Sequence, residues 1–263
     1  MTPDASYFIC TLPRSGSWLL AESLEKTGVA GRPREYFEPQ LFSAMKSDAL
    51  QSAVNRIIRK GMTKNRVFGA KLHWYQFEHA PRIISHRQPG ELPVALLMAR
   101  RFPKLKYIWL TRRDKVRQAV SYYRATRTGV WWDIPGISPT IAPVPDFDFE
   151  RILQLERLLL RHEACWQRYF DEHDIDPLVL VYEEFCNNHV EAVERVLQHL
   201  GIEDTKLGQI RSRLRRQADE VTEEWIERYL SMKGVSKSLS SEAPTGVHYA
   251  SGPGPRLAGV RTS

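Results

Sequence analysis

Twice in this chain a short apolar run enters a compact polar turn and leaves it as a segment whose apolar residues recur at helical spacing. The first instance is YFICTLPRSGSWLLAESL, where Tyr7 to Cys10 meets Pro13-Arg14-Ser15-Gly16-Ser17 and Leu19, Leu20 and Leu24 follow. The second is KYIWLTRRDKVRQAVSYYRAT, where Lys106 to Thr111 passes through Arg112-Arg113-Asp114 into a helix. Further strand-like runs stand at Val67 to Leu72 and Leu178 to Tyr182. Helical spacing recurs over Leu41 to Lys60, Leu92 to Arg101, Phe149 to Glu172, and EEFCNNHVEAVERVLQHLG, which Gly201 closes. Strands alternating with helices imply an α/β chain, with a central parallel sheet flanked by helices on both faces.

At 263 residues the chain is long enough to bury one substantial core, and nothing in it demands a second domain. From Gly234 onward the text is rich in Ser, Gly and Pro and poor in apolar residues, so the expected organisation is a domain over 1–233 and a disordered tail over 234–263. The stretch from Gly129 to Phe149, with prolines at 135, 139, 143 and 145, is expected to be a long functional loop. The longest apolar stretches, such as LPVALLMA, are too short to span a bilayer, and MTPDASYF lacks the basic start and apolar core of a secretory signal. The expected compartment is the cytoplasm, with no integral membrane segment.

The net charge of +7 raises nucleic acid as a partner, but no DNA- or RNA-binding signature accompanies the basic residues, and a small anionic ligand accounts for the excess. Cys10, Cys165 and Cys186 form no Cys-x-x-Cys pair and the histidines no metal-ligand spacing, so no metal is expected.

A strand, a tight polar turn and a helix form a natural anion cradle, because backbone N–H groups at a helix start point outward with partial positive charge. The glycine-rich loop of ATP- and GTP-using proteins needs a second glycine and a Lys-Ser or Lys-Thr, which TLPRSGS lacks. Ser15 and Ser17 offer hydroxyls, Arg14 a guanidinium fork, and Gly16 close approach to the main chain. Read alone, this loop is equally well a serine-capped helix after an arginine turn.

TLPRSGSWLL together with TRRDKVRQAVSYYRA resembles the sulfotransferases that use 3'-phosphoadenosine 5'-phosphosulfate (PAPS), within them the bacterial group typified by trehalose 2-sulfotransferase. The resemblance runs from Tyr7 to about Tyr229, with GVAGRPREYFEP, VFGAKLHW and RRQADEVTEEWIERY as further blocks in the same order. It implies a P-loop-like three-layer fold and an enzyme that moves the sulfuryl group of PAPS to a hydroxyl of a carbohydrate or glycolipid, leaving PAP, without a metal. A homodimer is the assembly the relatives suggest. By the same resemblance Arg14, Ser15, Gly16 and Ser17 hold the phosphosulfate, Arg112 and Ser121 the 3'-phosphate, and Arg216 a place over the nucleotide. Arg113 is the alternative to Arg112; for Arg113 a salt bridge with Asp114 is preferred. Glu35 is the implied general base, with Glu38 as the structural alternative, and Arg14 also stabilises the departing phosphate. Lys71, at a strand end, is expected at the acceptor or sulfuryl group, and the Trp131-Trp132 pair at the acceptor wall.

Two rivals stand beside this reading. A nucleotide kinase would need a loop lysine and a metal-holding carboxylate, neither of which is seen. A noncatalytic PAP- or glycan-binding protein would keep the fold without turnover, and the presence of both Glu35 and Arg14 argues against it.

Overall fold

The computed structural model describes residues 2–85, 93–131, 145–202 and 220–241. In chain order the elements are β1 (Ala5–Thr11), α1 (Ser17–Lys26), a 3₁₀ turn (Pro39–Leu41), α2 (Ser47–Gly61), β2 (Val67–His73), α3 (Trp74–Phe77), α4 (Ala80–Ser85), α5 (Val94–Arg101) and β3 (Leu105–Thr111). They continue with α6 (Lys115–Thr128), α7 (Phe149–Glu172), β4 (Leu178–Val181), α8 (Tyr182–Phe185), α9 (His189–Leu200) and α10 (Glu220–Ser241). The four strands form one parallel sheet in the order β2-β1-β3-β4.

Strand β1 is apolar over Tyr7 to Cys10 because both of its faces are covered. Tyr7 and Ile9 point into one core with Leu20 and Leu24 of α1, Ile108 and Leu110 of β3, and Val193 and Val196 of α9. Phe8 and Cys10 point into the other, with Phe68 and Leu72 of β2, Ile58 of α2, Met98 of α5 and Trp166 of α7. The fully buried Trp166 donates its indole N–H to the Thr11 carbonyl at 3.2 Å, which ties α7 to the end of β1. This is the expected three-layer α/β arrangement.

The strand order decides where a ligand can sit. The chain leaves β1 to build β2 on one side, then leaves β3 to build β4 on the other, so the two connections part above the gap between the carboxyl ends of β1 and β3. Crevices at such switch points are where open parallel sheets bind ligands. Residues 12–17 follow β1 and residues 112–121 follow β3, so both singled-out turns face this gap.

A second device extends the crevice along β2. Gly31 sits at φ 69°, and a Cβ there would lie 2.6 Å from the Gly69 backbone nitrogen, so only glycine lets the chain pass this close to β2. The segment beyond it runs beside β2 as a single parallel bridge between Arg34 and Ala70, with the Lys71 N–H donating to the Arg34 carbonyl at 2.9 Å. Glu35 is thereby delivered to the end of β2.

Two expectations shift. The helix expected over Leu41 to Lys60 begins at Ser47, because the chain first turns through Phe42, which is buried, before the helical register starts. The boundary expected at 233 falls inside α10, which continues to Ser241. That helix is docked on α7 through buried Glu156, which accepts from Tyr229 Oη at 2.7 Å and from Lys233 Nζ, 2.7 Å from its other oxygen. Both contacts fall inside the expected 1–233 domain, and residues 242–263 of the expected tail lie outside the described residues. No described helix is long and apolar enough to cross a membrane.

Candidate active site

Beyond β1 the chain tightens into the turn that begins α1. Arg14 has φ 65° and Gly16 φ 79°. Gly16 is the residue before α1 and no side chain caps the helix start. Ser15 instead turns inward, donating to the Leu12 carbonyl at 2.9 Å and pairing with the Thr11 hydroxyl. The serine-capped helix considered from sequence is therefore not what forms, and the helix start carries no side-chain acceptor. Glycine is required at 16 for a reason the sequence did not suggest: a Cβ would fall 2.5 Å from Cδ2 of Tyr182, whose ring packs on the turn.

Arg14 and Arg112 meet over this turn. Arg112 Nη1 donates to the Arg14 carbonyl at 2.9 Å, while Arg14 Nε donates to the Ser121 hydroxyl at 2.9 Å and its Nη1 to the Trp131 carbonyl. Arg112 is buried, its guanidinium lies 4.7 Å from the Tyr182 ring centre, and its Nε has no hydrogen-bond partner. Burial lowers the Arg112 pKa from the ordinary value, against the pull of Tyr182, Glu183 and Asp114. Burial first, and then the nearby Arg112 and Arg124, bring Arg14 down to about 10, with Tyr182 acting the other way. Both guanidiniums stay charged at neutral pH, and they crowd one another. An anion placed among them relieves that repulsion.

Arg113 is turned away from this cluster. It is exposed and pairs with Glu184, so the partner expected from sequence, Asp114, is replaced. Asp114 instead caps α6, accepting from the Arg117 N–H at 2.8 Å, and pairs with the Arg117 side chain. Glu183 fills the space between, accepting from the N–H groups of Arg113 at 3.1 Å and Asp114 at 3.2 Å. An internal carboxylate already sits on main-chain donors beside Arg112, which marks the neighbourhood as one that favours negative charge.

The other end of the crevice is carboxylate-rich. Glu35 Oε1 lies 2.6 Å from Lys71 Nζ and 3.5 Å from His73 Nε2, and its Oε2 accepts from Gln76 Nε2 at 3.1 Å. Burial resists ionisation of Glu35, but hydrogen bonds and charge from His73 and Lys71 outweigh it and hold the carboxyl well below the usual carboxylate range. Glu38 is held by neutral donors, the Tyr75 hydroxyl at 2.7 Å and Gln76 Nε2. Lys71 and His73 are buried and lie on one face of β2 by strand alternation.

Of the tryptophan pair expected at an acceptor wall, Trp131 is exposed and tilted against Tyr122, with ring centres 6.0 Å apart. Trp74 belongs to the core, edge-on to Trp166 at 5.0 Å. Trp132 and Arg216 lie outside the described residues. Among the described residues no group of three His, Cys, Asp or Glu side chains is placed to hold a metal ion.

Sequence reasoning passed over four residues. His73 was within reach, two residues after Lys71 on a strand, and Arg124 stands one helical turn after Ser121. Tyr182 was taken as the end of a strand rather than the lid on Gly16. For Gln76 no sequence signal existed.

The sequence model of the family described as Stf0 sulphotransferase matches residues 6–231. The trehalose 2-sulfotransferase of Mycolicibacterium smegmatis is 31% identical over a 259-residue alignment covering 85% of this chain and 94% of that protein. The trehalose 2-sulfotransferase of the Erdman strain of Mycobacterium tuberculosis is 29% identical over 254 residues, covering 85% of this chain and 93% of that protein. Among solved structures, a sulfotransferase from Alicyclobacillus acidocaldarius gives a TM-score of 0.47 at 16% identity, over 93% of this chain and 98% of that one.

Proposed function

Because this chain belongs to the Stf0 sulfotransferase family, we propose that it transfers the sulfuryl group of PAPS to a carbohydrate or glycolipid hydroxyl, with Glu35 as general base. The observation that carries this reading is the pairing of two neighbouring buried guanidiniums, Arg14 and Arg112, at the ends of β1 and β3 with a positioned carboxylate at the end of β2. The relatives named for trehalose support a sugar hydroxyl as acceptor.

The residues present fit a nucleotide bearing anions at both ends. The uncapped start of α1 and Arg14 suit the 5'-phosphosulfate, and buried Arg112, whose Nε makes no hydrogen bond and lies 3.9 Å from Glu183 Oε1, suits the 3'-phosphate together with Ser121. Bound there, PAPS supplies an activated sulfuryl group; the protein supplies position and charge. Arg14 stabilises negative charge on the departing phosphate oxygens without giving up a proton. The sulfuryl group carries less charge than a terminal phosphoryl group, so guanidiniums and main-chain dipoles suffice in this reading.

Glu35 takes the proton of the acceptor hydroxyl. A carboxylate held as low as this one is always ionised at neutral pH, but it is a weak acceptor while Lys71 and His73 share its charge. The reading therefore gives Lys71 two roles. It holds Glu35 ionised in the resting site, and it turns part of its charge toward a sulfuryl oxygen during transfer, which returns basicity to Glu35.

Incubation with radiolabelled PAPS and a panel of trehalose, cell-envelope glycolipids and nucleosides tests the proposal. Label on a sugar hydroxyl supports it. Tight PAP binding with no label on any acceptor favours a noncatalytic nucleotide-binding role.

A further inference from the structure

The Glu35 carboxylate projects from an irregular loop and is about one-third exposed, with 34% of its side-chain surface accessible, yet its two oxygens are engaged by buried partners. Oε1 is met by Lys71 and His73, both on β2. Oε2 is met by Gln76, which is fully buried at the start of α3. We propose that Gln76 is the positioning residue of this site, a neutral clamp that fixes Glu35 against Glu38 and aims it at the acceptor. This rests on the reading of Glu35 as the base.

The geometry leaves little freedom in how the Gln76 amide is set. Its Oε1 accepts from the His73 N–H at 2.8 Å, and its Nε2 faces Glu35 Oε2 at 3.1 Å, Glu38 Oε1 and the Tyr75 hydroxyl at 3.2 Å. The reversed amide would set oxygen against two carboxylates and NH₂ against the His73 N–H, so those three contacts would turn repulsive. One rigid group therefore reads out the end of β2 on one side and both loop carboxylates on the other.

Neutrality is the chemical point. A cation on Oε2 would hold Glu35 as firmly but would withdraw further basicity from it, whereas an amide orients the carboxylate with no net charge. The same N–H still has an oxygen to bond once Glu35 has taken a proton, so the side chain stays in place through the transfer. Lys71 sets the charge of Glu35, and Gln76 sets its direction.

The test is a double-mutant cycle with Gln76→Met, which keeps the length and removes the amide, in wild-type and Glu35→Gln backgrounds. Turnover with labelled PAPS should fall roughly 10- to 100-fold in the wild-type background, the range expected when a reacting group is misplaced by about an ångström. In the Glu35→Gln background Gln76→Met should add no more than about twofold, because its effect passes through the carboxylate already lost. PAP affinity, measured by calorimetry, should be unchanged. An equal loss in both backgrounds, or a matching loss of PAP affinity, overturns the proposal. Failure of the base reading itself shows differently, as a Glu35→Gln protein with near-normal turnover. The same cycle read by urea unfolding without ligand then still reports whether 35 and 76 interact, and additive effects there refute the clamp. Should Gln76→Met not fold, Gln76→Glu keeps the shape and adds a third carboxylate; wild-type turnover in that variant also overturns the proposal.

Discussion

The two ends of the crevice balance charge in opposite ways. At the ends of β1 and β3, Arg14 and Arg112 lie together, with no hydrogen bond at Arg112 Nε and the Arg112 charge helping to lower the Arg14 pKa. At the end of β2, Glu35 and Glu38 are already matched by Lys71, His73, Tyr75 and Gln76. The first arrangement is stabilised by an incoming anion, and the second is complete without one. Binding energy should therefore come from the β1–β3 side, and losses on the β2 side should show in turnover.

The largest expected effect tests the β2 side. Glu35→Gln should lower turnover roughly 10²–10⁴-fold, the usual range for a lost general base, with PAP affinity almost untouched. Glu38→Gln, the paired control, should slow the reaction far less. If Glu38→Gln abolishes turnover while Glu35→Gln spares it, the base belongs to the other carboxylate and the two ends are not divided as argued.

Arg112→Ala tests the opposite side, and should cost PAP binding on the order of 1.5–3 kcal/mol, with Ser121→Ala costing less. The loss should disappear for an analogue lacking the 3'-phosphate. Arg113→Ala, which breaks an exposed pair with Glu184, should leave calorimetric affinity within error of wild type. Equal weakening of both ligands by Arg112→Ala would place the 3'-phosphate elsewhere.

A smaller effect is expected from Gly16→Ala, where a left-handed φ of 79° and the Tyr182 ring both oppose a Cβ. About 1–3 kcal/mol of strain should appear as a lower midpoint in thermal unfolding and a weaker anion site. Unchanged stability would mean the turn is looser than described.

The smallest effect is a pH dependence of stability. The folded state depresses the Glu35 pKa, so the stabilisation it contributes is fully present above the unfolded value and is lost as pH falls through the folded one. The lead of wild type over Glu35→Gln in urea unfolding should be full at neutral pH and shrink below about pH 4.3. In Lys71→Met the folded carboxyl should titrate nearer the ordinary value, so the decline should still begin near about pH 4.3 but be smaller and be complete at a higher pH than in wild type. A gap that is constant with pH would sever Glu35 from its cationic partners.

Strand and helix periods made the α/β layering readable, since β1 and β3 are apolar on both faces and their helices keep one apolar stripe. The loop after β1 was readable as an anion cradle because helix starts and glycine turns are local. What escaped was set by distant pieces of chain. Gly16 is dictated by Tyr182, the Arg113 pair by Glu184, and the docking of α10 at Tyr229 and Lys233 by Glu156 on another helix. Gln76 carries no local pattern at all; its significance exists only once the bridge of Arg34 to Ala70 has brought Glu35 beside it.

Strand β1 precedes both of its sheet partners, which stand much later in the chain, in Val67–His73 and Leu105–Leu110. Until those are synthesised, Tyr7, Phe8, Ile9 and Cys10 have no sheet to join, and both edges of the strand remain open. Pairings this distant in sequence form slowly, and an unpaired apolar strand invites association with other chains meanwhile. Placing the anion turn on the central strand thus exacts a delay during biosynthesis. The second edge of β1 stays open until β3 is made, and the sheet is complete only when β4 pairs with β3.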